Sequence, residues 1–335
     1  MSEEPHRVTV QVNAAPSDGS TPVREFLTVW EEVDDFLHKG ATLQFLHSDA
    51  LRGHVQVWGD ASDVRAFLGA LESGPDAWRT RFKVRSDQGH HPMTSDLTLH
   101  LQGYERAAPG ASDVIAERVL QSLFLAVNLS RGGAFSSALP VAAPEDGVTG
   151  LMLAGEVLEG AWNRARDDGW PHLQPLSFSR TWEWLAEARF HECGVAASPL
   201  QKALCAVLEV AVATTHDTTR ILIVAQALEA LMTESEAGPP GAMRRRMEVI
   251  LGKPAARRNW FNKFYTLRSR IAHGSEPWIR PARHLDEGDE SLSKHLEGQW
   301  RPSDRAVALL FALLHDLIAH DAEGYEVLEE VLRRP

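Results

Sequence analysis

Two side chains five positions apart, Arg268 and His273, are the pair in this chain best suited to chemistry; they bound the run Arg268-Ser269-Arg270-Ile271-Ala272-His273, with Gly274 immediately after. An arginine holds a phosphate through a planar fork of donors and keeps its charge. A histidine exchanges a proton near neutral pH. Together they could bind RNA, take the proton from a ribose 2′-hydroxyl and stabilise charge on a pentavalent phosphorus, with no metal and no cofactor. A blander reading stands beside this one: Arg268 in a salt bridge, and His273 hydrogen-bonded to a fraying helix end.

The elements that must position this pair can be read from the spacing around it. Trp260, Phe261, Phe264, Tyr265, Leu267 and Ile271 recur at helical intervals and mark one apolar face. Gly274 is placed to end that helix, with Pro277 just beyond. Five positions correspond to about 500° of rotation, a net of about 140°, so the two side chains are not stacked neighbours. Upstream, Ile221–Met232 reads as an apolar helix with one internal carboxylate, Glu229. If buried, Glu229 needs a cation such as Arg268, because an unpaired buried carboxylate is costly. A loop over 236–242 and a basic helix over Met243–Leu251 lie between them.

An "A-L-E-A-L" helix, an arginine-rich helix and a "Y-x-x-R-S-x-I-x-H-G" ending, in that order, resemble the HEPN superfamily and its Apea-like branch. The resemblance covers about residues 200–330, is faint over 150–200, and does not reach the first half. It implies a C-terminal all-α helical bundle that dimerises, and a metal-independent endoribonuclease in which Arg268 and His273 are catalytic. The position after the arginine is polar in active members, often Asn, Asp or His; here it is Ser269, expected to orient one of the pair. Tyr265 and Arg270 are expected to line the groove, and Glu229 to hold the arginine. A homodimer with one composite groove and a setting in prokaryotic defence are also implied.

Charge is segregated along the chain. The formal net charge is -12, which argues against a general nucleic-acid coat protein. Residues 241–283 nevertheless hold eleven basic side chains against only Glu248 and Glu276. Arg244, Arg245, Arg246, Arg257, Arg258 and Lys263 are the candidates for RNA contacts, since a local positive patch supplies affinity for phosphates. They could instead pair with an acidic stretch at 286–290 or with the N-terminal half.

The 335 residues suggest two domains, and the balance of 44% hydrophobic and 24% charged residues is that of a folded protein. Two cysteines, Cys193 and Cys205, give neither a disulfide framework nor a CxxC pair. The start Met-Ser-Glu-Glu-Pro-His is not that of a signal peptide, and the apolar runs are too short for a bilayer, so a cytoplasmic protein is expected.

The fold class expected is α+β. Strands over 7–13, 42–46, 54–58, 82–84 and 97–101, with helices over 23–38 and 62–72, make an antiparallel-sheet domain over 1–108 that would sense or regulate, with a trigger ligand or protein as its partner. A connector region covers 109–169 and the helical bundle 170–335. His90, His91 and His100 lack a carboxylate or cysteine at ligand spacing, and His315, Asp316, His320 and Asp321 read as a solvated i,i+4 pairing, so no metal site is assigned. Ser130-Arg-Gly-Gly-Ala134 reads as a connecting loop without a P-loop spacing. Trp182 and Trp184 read as core anchors. Residues 277–298 read as a polar surface loop, with Ser303 capping a last long helix.

Two rivals to the nuclease stand: a catalytically silent bundle used for dimerisation, and a nucleotide-binding sensor in which the arginine groove takes a mononucleotide.

Overall fold

The computed structural model describes residues 5–17, 21–46, 52–77, 79–81, 93–103, 111–137, 153–192, 194–212, 218–232, 240–254, 260–277 and 290–326. The strand expected at 82–84, His90, His91, Cys193, Arg257, Arg258 and the acidic stretch at 286–289 lie outside the described residues.

The fold is mixed α+β. Strands β1 (His6–Asn13), β2 (Ala41–Leu46), β3 (Arg52–Asp60), β4 (Ser95–Gln102) and the short β5 (Ser136–Ser137) form one antiparallel sheet in the order β2-β3-β4-β1-β5. The period of two along β4 decides its faces: Leu97, Leu99 and Leu101 are buried, while Thr98 and His100 alternate with them on the half-buried side. Gly59 in β3 is required by crowding, because a Cβ there would lie 2.1 Å from the Thr98 carbonyl oxygen of β4.

Helix α1 (Val23–Lys39) joins the sheet to the helices. Phe26, Trp30, Val33 and Leu37 recur on its buried face. The Trp30 indole donates to the Ala134 carbonyl at 2.8 Å, and Phe36 packs on Phe178 and Trp182 with ring centroids 5.3 and 4.8 Å apart. The hydrophobic core runs without a break from the sheet through α1 into the helices that follow. These are α3 (Ala111–Ser130), which follows α2 (Ser62–Ser73), then α4 (Glu156–Asp168), α5 (Phe178–Glu187), α6 (Pro199–Val212), α7 (Thr218–Met232), α8 (Pro240–Leu251), α9 (Trp260–Ala272) and α10 (Glu290–Ala319). The 109–169 region thus gives a strand to the sheet as well as helices to the core.

The Ser130–Ala134 segment is buried rather than a solvated turn. Asn128 holds it, donating to the Phe124 and Phe135 carbonyls and accepting from the Gly133 amide. Its glycines serve close approach to α4. A Cβ on Gly132 would lie 2.9 Å from the Leu158 oxygen, and one on Gly133 (φ +91°) 2.4 Å from the Glu159 Cβ. Arg131, with no exposed side-chain surface, sits over the rings of Phe26 and Trp162, 5.2 and 4.6 Å from their centroids. Its Nε donates to Glu25 at 2.6 Å.

One expectation about the C-terminal part is overturned. Residues 290–298 are helical, and α10 runs unbroken for 30 residues through Pro302. Ser303 is therefore a buried mid-helix residue, not a cap. A proline inside a helix removes one backbone donor and one hydrogen bond. The loss is outweighed here by the buried stripe Leu296, Gln299, Ser303, Ala306 and Leu310, which continues across it. No described helix is long and apolar enough to cross a membrane.

Candidate functional site

Helix α9 presents three faces. Phe261, Phe264, Leu267 and Ile271 are buried and fix the helix on the core. Tyr265 and Arg268 are half-buried and turn toward α7. Lys263, Thr266 and Arg270 line a cleft between α9 and α10.

On the α7 side, the Arg268 guanidinium lies 3.4 Å from the Glu229 carboxylate, each side chain about one-third exposed. The Tyr265 hydroxyl reaches the same carboxylate at 3.5 Å and the Met243 sulfur of α8 at 3.3 Å. Burial, followed by the neighbouring Glu229 charge, raises the Tyr265 phenol well above its ordinary range, with Arg268 opposing. Tyr265 is thus a neutral hydrogen-bonding group and cannot act as a base at neutral pH. These contacts hold Arg268 at a defined place, with part of its fork facing outward.

The other end of α9 is set by its stop. Gly274 adopts a left-handed φ of +69°. Its amide bonds the Ile271 carbonyl at 3.0 Å, and the Ser275 amide bonds the Arg270 carbonyl at 2.8 Å. That pair of bonds is a Schellman closure, with His273 at the cap position. The His273 side chain is exposed, and its own amide makes the last helical bond, to Ser269, at 3.0 Å. Ser269 is also exposed. Helical geometry places His273 about 60° around the axis from Arg270 and about 140° from Arg268. The two residues of the motif therefore lie on different sides of α9 within one chain.

The Schellman turn carries Glu276 back beneath the helix. Its carboxylate, only 6% exposed, meets the Arg270 guanidinium at 2.8 Å and His295 of α10 at 3.9 Å. Arg270 keeps half of its surface free toward the cleft. The cleft has a volume of about 520 Å³ and is also lined by Lys294, His295, Gly298 and Pro302.

The other expected RNA contacts are dispersed over α8 and α9. Arg244 pairs with Glu248 at 3.5 Å along α8, and Arg245 is exposed. Arg246 donates to the Met232 carbonyl at the end of α7, where a cation also suits the helix dipole. Lys263 is exposed on the cleft.

Elsewhere, His315 is buried, its Nε2–H donating to the Leu129 carbonyl at 2.8 Å, and desolvation pushes its pKa down to about 4. His320 bonds the Asp316 carbonyl and lies 3.4 Å from its carboxylate, while Tyr325 donates to the same side chain. Trp182 and Trp184 are core residues. His100 stacks on Trp58, centroids 5.5 Å apart. Among the described residues, Asp34, His38 and Asp60 are close enough to share a cation, but Asp34 is already paired with Arg65 and bonded by the Ala61 amide.

Sequence reading missed Lys294, His295 and Gly298 because it took their segment as loop. The spacing of Leu292, Leu296, Gln299 and Ser303 was the available signal for a helix there.

Comparison of the chain with protein-family models, with curated proteins and with solved structures gives no match.

Proposed function

We propose that the chain is a metal-independent endoribonuclease of HEPN type, with Arg268 and His273 as its catalytic residues. What supports this reading is the C-terminal end of α9. An exposed imidazole stands at the helix cap, and the arginine five residues before it is oriented by Glu229 and Tyr265.

His273 removes the proton of a ribose 2′-hydroxyl as that oxygen attacks the adjacent phosphorus. The bond from phosphorus to the 5′-oxygen breaks, and that oxygen takes up a proton. Arg268 binds the phosphate and offsets the charge on its oxygens as the pentavalent state forms. The products are a 2′,3′-cyclic phosphate and a 5′-hydroxyl. Because the pair diverges within one chain, the proposal includes a homodimer whose two α9 ends meet. His273 of one protomer then serves as base and that of its partner as acid, with the arginines between. Ser269 orients the pair from the same turn, and Arg244, Arg245 and Lys263 hold the flanking strand electrostatically. A role in prokaryotic defence, in which the sheet region receives the trigger, belongs to the same proposal.

The test is to incubate the purified protein with RNA in EDTA and to identify the product ends. Cyclic phosphate ends that vanish in His273→Ala and in Arg268→Ala, both folded, support the reading. Ends bearing a 5′-phosphate and dependent on a divalent cation would falsify it. If wild type and both variants are equally inert, with and without a co-expressed trigger, the silent dimerisation module takes its place.

A further inference from the structure

The reaction above leaves one arginine at the α9 end without a task. Arg270 stands three residues before His273, and side chains at that spacing are neighbours on a helix surface; the five-residue spacing of Arg268 is not that of neighbours. Arg270 and His273 are both exposed. Arg268 is turned elsewhere, toward Glu229 of α7. Within one chain, the cation beside the imidazole is therefore Arg270.

Arg270 is also fixed in advance. The buried Glu276 meets the Arg270 Nη2 through Oε2 at 2.8 Å, and its Oε1 lies 3.9 Å from His295 Nδ1. His295 Nε2 is in turn 2.9 Å from the amide nitrogen of the buried Gln299. The carboxylate is thus braced from α10, and the arginine it holds keeps about half of its side chain in solvent. A long side chain that is free in solution loses entropy when it grips a ligand, so one already held binds at lower cost.

A helix C-terminus ordinarily repels anions, because its last carbonyls carry partial negative charge. Here those carbonyls are occupied. The Arg270 carbonyl accepts from the Ser275 amide at 2.8 Å and from the Ser275 hydroxyl and Glu276 amide at 3.2 Å, and the Ile271 carbonyl accepts from the Gly274 amide. What this end offers to solvent is a guanidinium, an imidazole and the Ser269 hydroxyl one turn before it. A planar fork of donors beside a histidine suits a tetrahedral oxyanion.

We infer that Arg270 and His273 of one chain together bind a phosphate group, with Glu276 as the residue that positions Arg270. The phosphate contact stands on the geometry of the α9 end. Its catalytic meaning, Arg270 as a second arginine on the scissile phosphate, rests on the ribonuclease reading.

The probe is inorganic phosphate, titrated at constant pH and matched ionic strength into the full chain with isotope-labelled histidine rings and arginine side chains, and followed by NMR. The expected result is a saturable shift of the His273 ring and Arg270 Nε signals with one dissociation constant. The double variant Arg270→Gln/Glu276→Gln leaves no buried carboxylate unpaired and should raise that constant by about tenfold or more. Glu276→Gln alone gives the decisive sign. It removes a negative charge beside the arginine, so charge by itself would tighten phosphate binding. Loss of positioning should instead weaken it by about three- to tenfold. Arg270→Lys keeps the charge but loses the fork, and should also weaken it. No saturable shift at His273, shifts confined to the cleft residues Lys294 and His295, or tighter binding by Glu276→Gln overturns the inference. Cleavage of RNA in EDTA is read on the same preparations. A wild type that binds phosphate at these two residues and cuts no RNA supports the site and counts against the ribonuclease reading. Cleavage at an equal rate by wild type and the double variant overturns the role of Arg270 on the scissile phosphate.

Discussion

Arginine is used in two opposite ways in this molecule. At the joint between sheet and helices, Arg131 is wholly buried, enclosed by Phe26 and Trp162 and bonded to Glu25. Burial draws its pKa down, and the Glu25 bond and charge oppose the shift. On α9, Arg268 and Arg270 also meet carboxylates, but each keeps one-third to one-half of its surface in solvent. The first arrangement buries the whole side chain between the layers it joins. The second fixes the side chain with one partner and leaves part of the guanidinium in solvent. The difference lies in what surrounds the ion pair: aromatic rings on both sides at Arg131, an open helix face at Arg268 and Arg270.

The comparison breaks most visibly at the joint. Arg131→Ala removes the guanidinium and opens a void between two rings, and should cost about 3 to 4 kcal/mol of stability in a urea titration. A loss near zero would place Arg131 with the surface arginines.

The next effect is one of pH. His315 is neutral in the folded protein, with a pKa of about 4, against about 6.5 when unfolded. Between those values the unfolded chain binds the extra proton, so stability is full above pH 6.5 and falls as pH drops toward 4, by about 3 kcal/mol at most from this group. His315→Gln retains a donor for Leu129 and should flatten that slope. An unchanged slope would show that His315 is not buried in this way.

A smaller effect is expected at the stop of α9. Gly274→Ala forces a left-handed backbone on a residue with a Cβ, at a cost of about 1 kcal/mol, and should disturb the Arg270–Glu276 pair. Thermal melting checks the cost. The smallest stability effect belongs to His273→Ala, within about 0.5 kcal/mol, because the side chain is exposed.

Much of this arrangement was legible in the sequence. Alternation marked β1, and helical spacing marked α1 and α9. A pairing of Glu229 with Arg268 was expected of a buried carboxylate, and it forms with both side chains about one-third exposed. Gly274 announced the end of α9, and with it the cap position of His273. What stayed hidden depended on tertiary context. Gly132 and Gly133 look like a flexible turn until α4 is seen pressed against them. Pro302 and Gly298 look like breaks until the buried stripe running through α10 is seen to outweigh one lost hydrogen bond. The cleft was hidden for the same reason, since one of its walls is that helix. The Glu276–Arg270 contact arises from the Schellman turn, which reverses the chain within three residues.

The central claim is that the α9 end is built for a reaction whereas the Arg131 joint is built for stability. The most direct measurement is the rate of RNA cleavage in EDTA by wild type and His273→Ala, with the thermal midpoint of each recorded on the same preparations. The account expects a rate loss of at least about a hundredfold with an unchanged midpoint. Equal rates for the two proteins at equal midpoints would contradict it.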